Sequence, residues 1–255
     1  MKQSIHLVLL LIFLYQPVQA LEVKGRLEWL HKTDMRVLVD GVVDKVNVIT
    51  GQHVKKGDIL LQLDPREFQA NIDEADARLS QATLATESAE RENQRTQELF
   101  DRGLISIEDQ KDVELKLATK KAQQATAQSA LTKAKIALER SQLKAPFNGI
   151  VISQNVWKGD VIYKTMQSKP LLSVAPSNKM LARVMVSAET LHHYKQGQKA
   201  SVTIRGKHYK GAIYQLGVEA VRIDPEGAIY ELDVSFKPSA NSGLRPTESA
   251  LVSLP

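Results

Sequence analysis

Five histidines lie beyond residue 20, at His31, His53, His192, His193 and His208, and they are the side chains best able to hold a metal. The tandem pair His192-His193 invites that reading, but neighbours on a helix point about 100° apart and no carboxylate spacing completes a ligand set. The chain has no cysteine, which excludes disulfides, thiolate-bound zinc, iron–sulfur clusters, cysteine nucleophiles and a lipidated N-terminus. No glycine-rich phosphate loop, nucleophile elbow or zincin helix occurs, and no motif supports a paired-carboxylate site. No catalytic, cofactor-binding or metal residues are assigned. With 34 basic and 29 acidic residues, the net charge of +5 is too mild to imply nucleic acid without a basic stripe. The informative residues are structural, and the elements that place them carry the functional reading.

The first twenty residues read as an address. Lys2, an apolar run from Ile5 to Tyr15 and the ending Val18-Gln19-Ala20 describe a secretory signal peptide. The run is shorter than the ~20 residues a spanning helix needs, although an uncleaved anchor is the alternative. Export to a periplasm is expected.

A repeat then occurs at an offset of 108 residues: Gly41-Val42-Val43 returns as Gly149-Ile150-Val151, Val48 as Val156, Gly51 as Gly159 and Val54 as Ile162. Both copies read as short alternating strands with module turns at Gly41, Gly51, Gly57, Gly149 and Gly159. Each half exposes an apolar face that only the other half can cover.

Between Asp64 and Ala145 there is no proline after Pro65 and one glycine, Gly103. Asp64, Pro65 and Glu67 suit a helix start. A 3.5-residue stripe follows: Phe68, Ile72, Ala75, Leu79, Ala82, Thr86, Ala89, Asn93, Thr96, Phe100. The second arm carries Val113, Leu117, Ala127, Leu131, Ala134 and Leu138, interrupted by Lys120 and Gln124. This spacing predicts an antiparallel coiled-coil hairpin reversing at Gly103, with arms of about 35 residues projecting roughly 50 Å. Ser106 would cap the second arm, with Asp109 three residues on. The register turns Phe100 inward and leaves Leu99 as an exposed knob at the tip, while Arg95 can pair with Glu92 or Glu98.

After Ala175-Pro176, strands are expected at 182–186, 200–204, 212–216, 229–236 and 250–254, with a short helix over 188–195 and turns at Gly197, Gly206, Gly227 and Asn241-Ser242-Gly243. This spacing suggests a small antiparallel barrel.

The stretch from Asp40-Gly41 to Leu63-Asp64 resembles the first half of a biotinyl-lipoyl fold, and Ala145-Pro146-Phe147-Asn148-Gly149 the opening of the second. The halves are split by the hairpin, and no modifiable lysine remains at their junction, since Lys45 and Lys56 lie elsewhere; a carrier function is disfavoured. Arg95, Leu99 and Ser106 have the spacing found at the hairpin tip of membrane fusion proteins of the HlyD type, the periplasmic adaptors of tripartite efflux pumps. The resemblance covers most of the chain beyond the signal. It implies an elongated α+β fold: signal peptide 1–20, a lipoyl-like barrel-sandwich module from 21–64 and 144–176, the α-helical hairpin 65–143, and a β-barrel domain 177–255. It also implies that Arg95, Leu99 and Ser106 dock a TolC-type outer-membrane channel. The other partners would be an inner-membrane transporter, of resistance-nodulation-division or ABC type, and further copies in a ring, as a hexamer or trimer of dimers. No cofactor or catalysis is implied. Leu244-Arg245-Pro246 resembles the family's entrance to its closing strand, but Thr247 stands where glycine is usual. A pump-independent binding module using the rod as a tentacle is the competing reading.

Overall fold

The structure is a computed structural model describing residues 21–239 and 242–255. Residues 1–20, on which the signal-peptide expectation falls, and Asn241 lie outside the described residues. In chain order the strands before the hairpin are β1 (Leu21–Trp29), β2 (Thr33–Met35), β3 (Gly41–Val46), β4 (His53–Val54) and β5 (Ile59–Leu63). Helices α1 (Arg66–Asp101) and α2 (Ile107–Arg140) follow. Then come β6 (Gln142–Lys144), β7 (Gly149–Gln154), β8 (Val161–Ile162), β9 (Leu172–Pro176) and β10 (Met180–Ser187). After α3 (Ala188–His192) the chain ends with β11 (Lys199–Ile204), β12 (Lys207–Leu216), β13 (Arg222–Asp224), β14 (Gly227–Phe236) and β15 (Ser249–Leu254). The described chain divides into two units: 34–146 with 151–173, and 21–33 with 147–150 and 174–255.

Two four-stranded sheets run β2-β9-β7-β4 and β6-β5-β3-β8, the latter wholly within the first unit. Each mixes strands from both sides of the hairpin, and in the second Val42 pairs with Val161 and Leu61 with Leu143. The 108-residue offset reappears as exchanged hydrogen bonds. Gly51 N donates to Val151 O and Gly159 N to Val43 O, both at 2.8 Å. Val151 N donates to Gln52 O at 3.0 Å and Val43 N to Asp160 O at 2.9 Å. The two turns are built alike, with φ of +88° at Gly51 and +92° at Gly159, a left-handed backbone that glycine adopts without steric cost. Even the side-chain brace is shared: Gln52 Oε1 accepts from Ile49 N (3.1 Å) and Asp160 Oδ2 from Trp157 N (2.8 Å). Val48, Val156, Leu60, Leu63 and Val151 fill the interior, all at most 5% exposed, so neither half could bury its apolar face without the other.

In the second unit the order is β10-β1-β15-β11-β12-β14-β13, and β10 also pairs with β14, closing six strands into an antiparallel barrel with β13 at its rim. The inward residues Leu27, Val184, Val202, Ile213, Leu232, Val234 and Val252 form its core. On the outer side, Arg183 Nε and Nη2 donate to the buried Asp233 at 2.8 and 2.9 Å, and Nη1 lies 3.0 Å from Glu28 and 3.3 Å from Glu231. The Asp233 hydrogen bonds, joined by the charges of Asp233, Glu28 and Glu231, raise the Arg183 guanidinium pKa above its ordinary value against the opposing cost of burial.

From sequence, residues 21–29 belong with the split module; the structure places them in the barrel instead. β1 pairs with β10 from Gly25↔Val184 to Trp29↔Met180 and with β15 from Leu21↔Leu254 to Arg26↔Ser249. These partners lie over 150 residues away, and an alternating pattern does not reveal which sheet a strand joins. Gly25 makes the fit possible: a Cβ there would lie 2.2 Å from Arg183 O. The short helix ends at His192 rather than Lys195, capped at its start by Ser187 Oγ, which accepts from Thr190 N at 3.2 Å.

Candidate functional site

The candidate site is the far end of the hairpin, positioned by the seam below it. Every position of the predicted stripe on both arms is buried or half-buried, whereas Leu84 and Leu115, outside the stripe, are exposed. At 1.5 Å per residue the 36-residue α1 is roughly 54 Å long. Small side chains let the arms approach closely but bury little area each, so polar ties between the arms matter more than in a leucine seam. Thr86, 4% exposed, donates through Oγ1 to Ala82 O on its own helix (2.9 Å) and Lys120 O on the other arm (3.1 Å). Gln124 Nε2 donates to Thr83 Oγ1 at 3.1 Å. Of the two polar interruptions of the second stripe, Gln124 thus ties the arms together, while Lys120 Nζ donates to Gln123 Oε1 on its own helix at 3.2 Å. Nearer the tip, Lys121 pairs with Glu90 (3.0 Å) and Lys116 with Glu92 (2.7 Å), and Gln110 hydrogen-bonds Gln97.

At the base, Asp64 Oδ1 accepts from Arg66 N at 3.1 Å, and the Arg66 guanidinium closes on the same carboxylate. These bonds hold the Asp64 carboxyl down at about 2. Pro65 already has helical dihedrals, so Asp64 is the residue that caps the rod.

The reversal is built from two complementary caps. Gly103, at φ +70°, ends α1: its N–H donates to Phe100 O (2.8 Å) and Leu104 N–H to Leu99 O (2.9 Å), the paired bonds of a Schellman motif. Three residues later Ser106 starts α2. Its Oγ accepts from Asp109 N (3.1 Å) and donates to Asp109 Oδ2 (2.6 Å), while Ser106 N donates to the same carboxylate (3.2 Å). The capping box is complete with aspartate in place of glutamate, and the Ser106 side-chain and backbone hydrogen bonds lower the Asp109 pKa.

Arg95 is exposed and forms no ion pair among the described residues; Glu92, one of its expected partners, is taken by Lys116. Arg95 only adds a minor charge contribution to the lowering of the Glu92 pKa, which the Lys116 hydrogen bond leads. Its donors are therefore available to acceptors on another molecule. Ser106 is exposed, but its only hydroxyl proton is committed to Asp109, so in this state it can accept and not donate. Leu99 departs from expectation: it is half-buried, with its carbonyl held by Leu104, and is not a free knob. The apolar side chains presented at the tip are Leu104 and Ile107, 66% and 56% exposed. Sequence reasoning passed over them, although two large apolar residues flanking a turn and outside the seam register were the available signal.

Among the module glycines, Gly51, Gly57 and Gly159 sit in turns at positive φ. Gly41 and Gly149 do not form turns, contrary to expectation: they open β3 and β7. A Cβ on Gly149 would meet Ala175 O at 2.2 Å, so close approach of a neighbouring backbone is the reason for glycine there. Among the described residues no group of three or more histidine or acidic side chains could hold a metal, and no helix is long and apolar enough to cross a membrane.

Comparison with known proteins brings in relatives with the same arrangement. The family model for the barrel-sandwich hybrid domain of RND membrane fusion proteins matches residues 31–174. The chain is 30% identical over 206 residues to macrolide export protein MacA of Yersinia pestis, covering 74% of this chain and 56% of that protein. It is 24% identical over 228 residues to multidrug efflux pump subunit AcrA of Escherichia coli K12, covering 89% and 57%. The chain thus spans about half the length of these curated relatives. Among solved structures, membrane fusion protein Spr0693 of Streptococcus pneumoniae R6 superposes with a TM-score of 0.69 at 16% identity, covering 91% of this chain and 97% of that one. A MacA–MexA chimera carrying the Pseudomonas aeruginosa MexA α-hairpin gives 0.67 at 23%, covering 92% and 80%. At these identities the superpositions speak for the fold alone.

Proposed function

Because this chain belongs to the RND membrane fusion proteins, whose barrel-sandwich hybrid domain it carries over residues 31–174, we propose that it is a periplasmic adaptor for efflux. In this reading it joins an inner-membrane transporter of resistance-nodulation-division type to a TolC-type outer-membrane channel and catalyses nothing itself. The cargo class is drug-like compounds, in keeping with the names of the macrolide-export and multidrug-efflux relatives. Copies assemble side by side into a ring, because a conduit must be enclosed and one rod encloses nothing. Residues 1–20 direct export to the periplasm.

The observation that carries the proposal is the tip. A rod with arms of 36 and 34 residues, capped at both sides of its reversal, presents the Arg95 guanidinium, which has no ion pair among the described residues, and two exposed apolar side chains, Leu104 and Ile107. A hairpin that served only to brace its own domain would have no need of these. Arg95 caps carbonyl groups at a partner's helix ends, Leu104 and Ile107 fill apolar gaps between them, and Leu99 supports the turn from beneath. Ser106 contributes an acceptor while holding α2 in place.

The test is complementation of a strain lacking the gene with Arg95→Ala, Leu99→Asp and a Leu104→Asp/Ile107→Asp pair. The variants at 95, 104 and 107 should keep the wild-type melting temperature and lose export, seen as drug susceptibility equal to that of the deletion strain. Full export by the Leu104/Ile107 pair at normal abundance would sink the docking role of the tip.

A further inference from the structure

We propose that the outer face of the barrel unit carries an oxyanion site for phosphate esters, distinct from the hairpin tip and independent of its role. An open depression of about 990 Å³ is lined by Lys24, Thr203, Arg205, Arg245, Glu248 and Ser249, with Leu251 among them. Three of these side chains are cationic and one is anionic. The single carboxylate is already committed: Glu248 Oε1 lies 2.6 Å from Arg205 Nη2 and accepts from Arg245 N at 2.9 Å. Glu248 therefore acts as an internal strut, tying the loop before β15 to the turn between β11 and β12, and leaves the depression with an excess of two positive charges.

Lys24 and the Arg245 guanidinium have no ion pair among the described residues, and both are exposed. Their placement is set by the sheet. Lys24 on β1 is level with Leu251 on β15, which is level with Thr203 on β11, so one row of side chains crosses three strands on the outward face. Adjacent strands lie about 4.8 Å apart, which puts Lys24 and Thr203 roughly 10 Å from each other. Leu251 stands between them in that row, so Lys24 and Thr203 flank the depression on either side of it. Thr203 Oγ1 sits 2.8 Å from Nδ1 of His208, the residue level with it on β12, so the row continues from a hydroxyl to an imidazole. Arg205 is held at the rim by a two-residue left-handed turn with Gly206, at φ +50° and +76°.

The chemistry favours phosphate. An arginine fork and an ammonium group around hydroxyls match the several oxygens and the residual charge of a phosphoryl group, and planar carboxylates use such a set less fully. Exposure and openness indicate a ligand that stays largely in water, such as the phosphorylated head of a lipid or a soluble phosphate ester, and not a deeply enclosed small molecule.

The test uses the full chain and two probes at 0.1 M salt: inorganic phosphate followed by calorimetry, and co-sedimentation with phosphatidylglycerol vesicles against phosphatidylcholine vesicles. The variants are Lys24→Gln, Arg245→Gln, the two together, and Lys237→Gln as an exposed control outside the depression. Retention of phosphate, or of phosphatidylglycerol vesicles only, weakened at least about tenfold in the double variant and unchanged in the control, supports the site. The first result assigns it to soluble phosphate and the second to a lipid head. Absence of binding to both probes, or binding unaffected by the double variant, overturns the proposal. Because neither readout involves export, its failure leaves the adaptor reading untouched, and the reverse also holds.

Discussion

Replacing Thr247 with glycine should stabilise the barrel unit. Thr247 holds φ at +69°, a left-handed backbone that is a marked outlier for a β-branched residue. The loop cannot relax around it: Thr247 N donates to Leu27 O and Leu27 N to Glu248 O, both at 2.8 Å, fastening the segment to β1. Left-handed geometry costs an L-residue about 1–2 kcal/mol, with β-branching placing threonine toward the upper end. Glycine removes that cost but enlarges the unfolded ensemble, offsetting about 0.4–1 kcal/mol. Thr247 is exposed, so little packing is lost, and its hydroxyl bond to Pro246 O at 2.6 Å faces water and counts for little. The net gain expected is about 1 kcal/mol, which for a chain of this size raises the melting temperature by about 2–4 °C. Scanning calorimetry on Thr247, Thr247→Ala and Thr247→Gly should give an ascending series. A glycine variant that melts no higher than the parent would refute the reasoning, because the strain would then be absent or relieved elsewhere.

Gly25→Ala should act in the opposite sense, since a methyl group 2.2 Å from Arg183 O must push β1 away from β10; a loss of at least about 2 kcal/mol is expected by denaturant titration, and a neutral result would contradict the pairing. Ser106→Ala should cost about 1 kcal/mol and raise amide exchange in the first turn of α2, while Ser106→Asp, another good cap, should restore protection; equal exchange in all three would remove the capping role. Acid should loosen the rod at its base. Asp64 titrates at about 2, below the ordinary carboxylate value of 3.8, so its contribution is complete above pH 4 and is lost as pH falls toward 2. Helical circular dichroism should decline through that window in the parent, and Asp64→Asn should show a smaller pH-dependent change; identical profiles would contradict the cap.

The hairpin was legible because its period is simple and uninterrupted: from Arg66 to Asp101 neither glycine nor proline breaks the 3.5-residue recurrence, and the arms meet across a short loop. The split repeat was legible for a different reason. Matching glycines at 51 and 159 mark matching left-handed turns, and backbone conformation is the property glycine reports most directly. The membership of β1 was not legible, because its partners Met180–Val184 and Ala250–Leu254 are chosen by non-local pairing that local alternation does not encode. β13, three residues at the barrel rim and mostly exposed, carries too little apolar pattern to announce itself. At the tip the seam register does not separate Phe100 from Leu99: both are half-buried, and the Leu99 carbonyl is held by Leu104 N where the chain reverses at Gly103. That is a property of the cap, not of the period.

The adaptor reading stands or falls on what the rod touches. The absence of native cysteine allows a single Leu104→Cys to be placed at the tip, and Lys237→Cys on the barrel unit, each carrying a photoreactive maleimide in cells that express the channel. Illumination should join position 104, and not position 237, to a TolC-type outer-membrane protein identified by mass spectrometry. Adducts from position 104 that contain only other proteins, or none at all while the labelled protein still supports export, would contradict it.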